Sequence, residues 1–167
     1  MYLEVTPTGG GRVLGSTMID KVISGGQTGV DRAALDVALE LGISCGGWCP
    51  TGRKAEDGAI PARYPIEELP SRGYRPRTVR NVLESDGTLI LFRDALTGGS
   101  AFTAEVARKH DKLCYSVNLS APVDPSDVRI WIRQHSIRTL NIAGPRESHV
   151  PGIHADAAAY LRAALSR

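Results

Sequence analysis

The chain of 167 residues contains little cysteine and no long apolar run. Its three cysteines, Cys45, Cys49 and Cys114, form an odd and sparse set. Such a set argues against a disulfide framework and favours a reducing compartment. No apolar stretch approaches the ~20 residues of a membrane-spanning helix, and no signal-peptide core is visible near Met1. We therefore expect a cytoplasmic protein with no membrane partner.

Strong charge of either sign is also missing. Twenty Lys and Arg residues against 18 Asp and Glu residues give a net charge of +2, which is too small to indicate a nucleic-acid partner. The spacing typical of zinc ligands is missing as well, because Cys45 and Cys49 are four residues apart and His149 and His154 lie on either side of a proline. The sequence therefore predicts no metal ligated by the protein.

Glycine, by contrast, is abundant, with 18 of 167 residues, or about 11% against a usual ~7%. The glycines occur in clusters, so they mark loops rather than low-complexity sequence. Residues 1–17 contain Gly9–Gly11 and show no clear periodicity. We expect these residues to form a flexible lead-in and residues 18–167 to form one ligand-binding domain.

Short apolar runs alternate with segments of helical periodicity. The predicted strands are 21–24, 43–48, 88–92, 113–119 and 139–143, and the predicted helices are 30–41, 77–86, 102–110, 125–134 and 153–165. This alternation predicts an α/β fold with a mainly parallel sheet of five or slightly more strands and helices on both faces. Residues 49–74 are predicted to form one long polar loop, of a length that is usually functional or disordered.

Glycine, threonine and arginine concentrate in the loops that follow the predicted strands. In an open parallel sheet the carboxyl ends of all strands lie at one edge, where ligands bind. The loops concerned are 25–29, 49–58, 94–100 and 144–148. Their convergence predicts a pocket for an anion at that edge.

Two glycine-rich loops are the candidate backbone cradles for this anion. Glycine lets the backbone turn N–H groups towards a ligand, and each loop precedes a helix whose N-terminus is positive. The alternative for each loop is a tight turn, with Ser100 as a helix N-cap in the second. The candidate residues are Gly25, Gly26, Gln27, Thr28 and Gly29 in the first loop and Thr97, Gly98, Gly99 and Ser100 in the second.

Three basic residues in the other loops are candidates for neutralising the anion. Arg53 and Lys54 lie in the loop after the second strand, and Arg146 follows the fifth. Arginine offers a planar fork for a phosphate, and lysine a point charge. The alternatives are a solvated charge run at Arg53 and Lys54 and a local ion pair between Arg146 and Glu147.

Between about Lys21 and Leu165 the chain resembles the molybdenum-cofactor carrier proteins. The resemblance depends on five motifs in order: SGGQTGVDRAALDVALELGI, GGWCPTGRKAEDGAIP, RTVRNVLESDGTLIL, TGGSAFTA and AGPRES…PGI. It implies a Rossmann-like three-layer sandwich and a non-catalytic carrier of molybdenum cofactor, a ligand with a pterin, a dithiolene and a terminal phosphate. It also implies a homo-oligomer, either a dimer or a tetramer.

A wider Rossmann-like group, which includes the cytokinin-releasing phosphoribohydrolases, supplies an alternative. Their Pro-Gly-Gly-x-Gly-Thr-x-x-Glu motif resembles residues 97–105 and aligns its glutamate with Glu105. Thr97, Ala101 and Phe102 depart from that motif and weigh against hydrolase activity. The resemblance leaves open a nucleoside-monophosphate phosphoribohydrolase with Glu105 as its catalytic residue, or a nucleotide-sensing module. In either case the ligand is a nucleotide.

Overall fold

The structure, a computed structural model, describes residues 19–166, so the predicted lead-in 1–17 lies outside the described residues. The strands are β1 Lys21–Ile23, β2 Ser44–Gly46, β3 Trp48–Cys49, β4 Lys54–Ala55, β5 Gly58–Ala59, β6 Glu67–Glu68, β7 Gly87–Phe92, β8 Leu113–Asn118 and β9 Thr139–Ala143. The helices are α1 Val30–Glu40, α2 Tyr74–Leu83, α3 Gly98–Lys109, α4 Pro125–Gln134 and α5 Ile153–Leu165. Among residues 19–166, no helix combines the length and the apolar character needed to cross a membrane.

The central sheet has five strands in the order β2-β1-β9-β7-β8, and every pair in it is parallel. Strand β7 lies inside the sheet between β9 and β8, and its alternate side chains are buried on both faces. Leu89 and Leu91 belong to the main hydrophobic core, whereas Ile90 between them is fully buried outside it. Such a continuous apolar strand is typical of a parallel sheet with two covered faces. The predicted α/β sandwich with a parallel sheet is confirmed.

The strand order matches that of a known class of parallel sheets when the strands are numbered from β7 instead of β1. In the sequence β7, β8, β9, β1, β2 the spatial order is 2-1-3-4-5, which is a common order of doubly wound sheets. The strand order of such a sheet reverses at one point, here between β7 and β9, and ligands bind in the crevice at that point. The topology therefore directs attention to the loops after β7 and β9.

The helices form two groups, one containing α1, α4 and α5 and the other containing α2 and α3. Helices α1 and α5 pack closely because both present small residues, such as Ala34 on α1 and Ala157 on α5, which are completely buried. A smaller cluster of Val82, Val106 and Ala107 joins α2 to α3. This second pair of helices lies beside the predicted ligand loops.

Two helices begin earlier than their apolar periodicity predicts. Helix α2 begins at Tyr74 rather than at residue 77, and α3 begins at Gly98 rather than at residue 102. Pro76 lies in the first turn of α2, where a missing N–H is harmless, and α3 opens on two glycines. Neither start carries an apolar repeat, so periodicity alone misses it. The extra turns bring both helix N-termini to the sheet edge.

The segment predicted as one polar loop over 49–74 contains three two-residue strands, β4, β5 and β6, and the second residue of a fourth, β3. Strand β3 pairs with β6 in parallel, and β4 pairs with β5 in an antiparallel ladder. Such short strands carry too few residues to show a period of two. Two kinds of contact hold this segment in place: the strand pairs β3–β6 and β4–β5, and the hydrogen bonds of the Arg53 side chain.

Candidate functional site

A cavity of about 400 Å³ lies at the carboxyl ends of β1, β7 and β9, within the usual range for small-molecule sites. Its lining comes from four parts of the chain: the loop after β1 with the start of α1, the first two turns of α2, the end of β7 with its loop and the start of α3, and the end of β9 with its loop. The cavity thus occupies the crevice where the strand order reverses, which is where a doubly wound sheet binds its ligands.

The cavity brings together seven of the twelve predicted ligand-binding residues: Gly25, Gln27, Thr97, Gly98, Gly99, Ser100 and Arg146. The other five do not line it: Gly26, Thr28, Gly29, Arg53 and Lys54. Glu105 is exposed and lies outside the lining.

The start of α3 is the part of the lining with the most open backbone. A Cβ added at Gly98 or Gly99 would meet no atom within 4 Å, and both glycines are exposed. Thr97 is the N-cap and makes no side-chain cap hydrogen bond. Ser100 is not the N-cap, because it lies inside the first turn, where it is buried. The first N–H groups of α3 therefore remain available to an anion.

The glycines after β1 serve a different purpose. Gly26 and Gly29 have φ values of +75° and +78°, a region that disfavours other residues. A Cβ at Gly26 would lie 2.5 Å from Cδ1 of Ile66, and a Cβ at Gly29 would lie 2.3 Å from the carbonyl oxygen of Pro145. These two glycines let the loop after β1 pack against protein, rather than against a ligand.

Gly25 makes room for an arginine that the sequence analysis did not single out. A Cβ at Gly25 would lie 1.4 Å from Nη1 of Arg77. That same Nη1 donates to Oδ2 of Asp31 at 2.9 Å, and the two side chains are 13% and 4% exposed. Desolvation raises the pKa of Asp31, against the opposing effect of Arg77. The pair joins α2 to the start of α1 beneath the cavity.

Basic side chains surround the aromatic rings at the mouth of the cavity. Lys54, Arg77 and Arg146 lie 5.2, 5.5 and 5.2 Å from the centre of the Tyr74 ring. The Arg75 guanidinium lies 4.6 Å from the ring of Phe102. Such cation–π contacts fix the positions of the cations without cancelling their charge.

The lining as a whole is positively charged. Among the described residues, the cavity is lined by three arginines, Arg75, Arg77 and Arg146. The described part of the lining contains one carboxylate, that of Asp31. The signal for Arg75 and Arg77 was present as the basic run YRPRTVR over 74–80. It was missed because the predicted helix began too late to place residues 74–76 at the sheet edge.

Glu56 connects the loop after β1 to the loop after β9. Its carboxylate accepts hydrogen bonds from the Thr28 hydroxyl and, at 2.5 Å, from the Ser148 hydroxyl. Nη1 of Arg146 lies 3.9 Å from the same carboxylate. Desolvation acts to raise the pKa of Glu56, but the hydrogen bonds from Ser148 and Thr28 outweigh it and lower that pKa. Thr28 thus supports the site from behind its lining.

Arg53 lies away from the cavity and binds backbone. Its guanidinium donates to four carbonyl oxygens, those of Ile60, Pro61, Tyr64 and Ile66, at 2.8–2.9 Å. Arg53 itself has a φ of 52°. These bonds hold the segment between β4 and β6 in place, so the described contacts of Arg53 are structural. No group of three or more metal-ligating side chains occurs within residues 19–166.

Comparisons with known proteins identify the family and the fold. The model of the circularly permutated YpsA SLOG family matches residues 22–165, and the strand order counted from β7 is itself a circular permutation. The crystal structure of a "Putative molybdenum carrier protein" from Syntrophus aciditrophicus SB matches with a TM-score of 0.86 and 43% identity, covering 90% of this chain and 97% of that one. Comparison with curated proteins gives no match. The family match spans nearly all of the described residues, and the chain belongs to the circularly permutated YpsA SLOG family.

Proposed function

We propose that this protein binds and carries a small phosphate-bearing anion in the cavity, and that the ligand is molybdenum cofactor or a close chemical relative. The observation that carries the proposal is the charge of the lining. Three arginines line the cavity: Asp31 pairs with Arg77, and Glu56 lies 3.9 Å from Arg146. Within residues 19–166, Arg75 has no carboxylate partner. The name of the structure from Syntrophus aciditrophicus supports a molybdenum-containing cargo.

The residues present suit the parts of such a ligand. A terminal phosphate would be held by the first N–H groups of α3 at Gly98–Ser100 and by Arg75, which lines the same cavity. A flat pterin would find aromatic surface at Tyr74 and Phe102. Since no group of metal-ligating side chains lies among the described residues, the metal would travel as cargo on its own dithiolene.

A hydrolytic role for Glu105 gains no support from its position. Glu105 is exposed and outside the lining, whereas a general acid or base must lie within hydrogen-bond reach of its substrate. Asp31 lines the cavity, but its carboxylate is engaged by Arg77. We therefore expect a non-catalytic protein that releases no adenine from AMP.

The resemblance also leads us to propose a cytoplasmic homo-oligomer, a dimer or a tetramer. Light scattering coupled to size exclusion measures its mass directly. A monomer at micromolar concentration would contradict this part of the proposal without touching the ligand site.

Anaerobic equilibrium dialysis with freshly released molybdenum cofactor tests the ligand, with molybdenum and phosphorus both quantified. We expect Arg75→Ala to weaken binding about tenfold, because it removes a charged hydrogen-bond donor, and to weaken the dependence on salt. Arg133→Ala, at an exposed position on α4, is the matched control. Binding of AMP without binding of the cofactor, or release of adenine from AMP, would contradict the proposal.

A further inference from the structure

The cavity has two chemically different ends. At the open end, Gly98 and Gly99 are exposed, and Arg75 forms no ion pair with any described residue. At the buried end, Gln27 is 4% exposed and Asp31 is 3% exposed. Positive charge is thus unbalanced at the open end, whereas Asp31 balances Arg77 at the buried end.

The amide of Gln27 has a fixed orientation at the buried end. Its Oε1 accepts from the backbone N–H of Thr28 at 3.0 Å and from that of Glu56 at 2.9 Å. Rotating the amide by half a turn would place its NH₂ group against two donors, which the hydrogen-bond chemistry forbids. The position of Nε2 therefore follows from two backbone contacts.

Nε2 of Gln27 has no hydrogen-bond partner within residues 19–166, although it is buried. Nε of Arg77 is the second buried side-chain atom of this kind, and both residues line the same cavity. Buried donors are almost always satisfied in folded proteins, and those that are not call for an explanation. Because both side chains belong to the lining of one cavity, an acceptor that enters from that cavity would satisfy them.

We infer that the buried end is a subsite for an uncharged acceptor oxygen, and specifically for the ring carbonyl of an oxo-substituted nitrogen heterocycle. This inference rests on the proposed function and adds the orientation of the ligand: phosphate at the start of α3, ring carbonyl at Gln27 and Arg77. A second phosphate does not suit the buried end, because Asp31 already neutralises Arg77. On a ring with an amino group in place of the carbonyl, the N–H donors of the ligand would face the N–H donors of Gln27 and Arg77.

The test uses the nearly isosteric variant Gln27→Glu, which introduces a negative charge. Its Oε1 keeps the bonds from Thr28 and Glu56, while the second oxygen replaces the NH₂ group with an acceptor. Gln134→Glu, at an exposed position on α4, makes the same change in net charge far from the cavity. Thermal melting of both variants shows whether they fold like the wild type.

Affinities for three ligands, molybdenum cofactor, IMP and AMP, are measured by titration calorimetry. IMP and AMP have the same phosphate and sugar but carry a carbonyl and an amino group, respectively, on the ring. We expect the wild type to prefer IMP over AMP by about tenfold or more, the equivalent of one hydrogen bond to a charged or buried partner. Molybdenum cofactor and IMP are the two ligands that carry a ring carbonyl. For each of them that the wild type binds, we expect Gln27→Glu to lower the affinity by about 10- to 100-fold. We expect Gln134→Glu to leave these affinities unchanged.

The outcomes separate the inference from the proposed function. If the wild type binds the cofactor but binds IMP and AMP equally, or if Gln27→Glu binds the cofactor as well as the wild type does, the inference is wrong and the carrier function stands. If the wild type binds none of the three ligands, both are wrong. The comparison of IMP with AMP needs no variant, so it remains decisive even if Gln27→Glu fails to fold.

Discussion

Nη1 of Arg77 lies 2.9 Å from Oδ2 of Asp31 in an ion pair that is almost completely buried. The two residues come from different helices, α2 and α1, and the pair forms one wall of the cavity. A buried ion pair contributes little net stability when intact, but removing one partner leaves an uncompensated charge. The effects of substitutions here should therefore be strongly non-additive.

Arg77→Met should lower the free energy of unfolding by about 3–5 kcal/mol, and the double variant Asp31→Leu with Arg77→Met should recover much of that loss. Urea denaturation of the wild type, both single variants and the double variant gives the coupling energy. If the losses of unfolding free energy in the two single variants simply added up in the double variant, the two side chains would not be energetically coupled.

The same variant should show a characteristic dependence on pH. The pKa of Asp31 is raised in the folded protein above its ordinary value of 3.8, and loss of Arg77 raises it further. The folded state then binds more protons than the unfolded state between those values, so stability falls as pH rises through that window. Arg77→Met should accordingly regain stability when the pH is lowered from 7 towards 4.

Two glycine-to-alanine substitutions should separate structural from ligand-facing glycines. Gly29→Ala should cost about 2–4 kcal/mol of unfolding free energy, because its Cβ would collide with the Pro145 backbone at a positive φ. Gly99→Ala faces open space within a helix, so the stability should stay the same or rise by up to about 1 kcal/mol, while ligand affinity falls. Equal stability losses would contradict the assignment of roles.

Arg53→Ala should destabilise the protein without a salt-dependent effect on ligand binding. Its guanidinium satisfies four carbonyl groups, and leaving several of them unpaired should cost about 2–4 kcal/mol. Lys54→Ala removes the same charge at the next, exposed position and serves as the control for stability. Hydrogen exchange should show faster opening over residues 54–68 in Arg53→Ala alone. If Arg53→Ala lowered the ligand affinity without lowering the stability, Arg53 would be a ligand-binding residue and its structural role would be wrong.

Glu56→Gln should remove a contribution to stability that is present when the carboxylate is ionised and absent in acid. The pKa of Glu56 is lowered in the folded protein below its ordinary value of 4.5, so its stabilising effect is present above about pH 4.5 and lost as pH falls through the folded-state value. We expect a difference of about 1 kcal/mol from the wild type at pH 7 that shrinks towards zero in acid. Glu105→Gln, at an exposed helix position, should show no such convergence.

Strong local sequence patterns predicted the structure correctly where they coincided with the global fold. Alternating strands and helices predicted the parallel sheet, and strand β9 at Thr139–Ala143 has the predicted bounds. Four loops were predicted to converge at one sheet edge. Three of them contribute Gly25, Gln27, Thr97–Ser100 and Arg146 to one cavity there, whereas no residue of the loop 49–58 lines it. These inferences need only the direction of parallel strands and the position of their carboxyl ends.

The parts that the sequence could not show depend on distances between residues far apart in the chain. Gly26 and Gly29 look like phosphate-binding glycines, yet Ile66 and Pro145 occupy the space in front of them. Arg53 looks like an anion ligand until the fold brings four carbonyls around it. Arg77 and its partner Asp31 are 46 residues apart, so no local motif reports their pairing.

The permuted strand order also bears on how the site is assembled. One wall comes from the segment Gly25–Asn81, which follows β1 and contains β2, and the other from Phe92–Val150, which contains β8 and β9. Neither segment alone can present a complete cavity. A ligand bound between the two segments would contact both of them. Its binding would therefore stabilise the folded arrangement of the two segments. Protection from proteolysis between the segments should therefore rise with cargo occupancy.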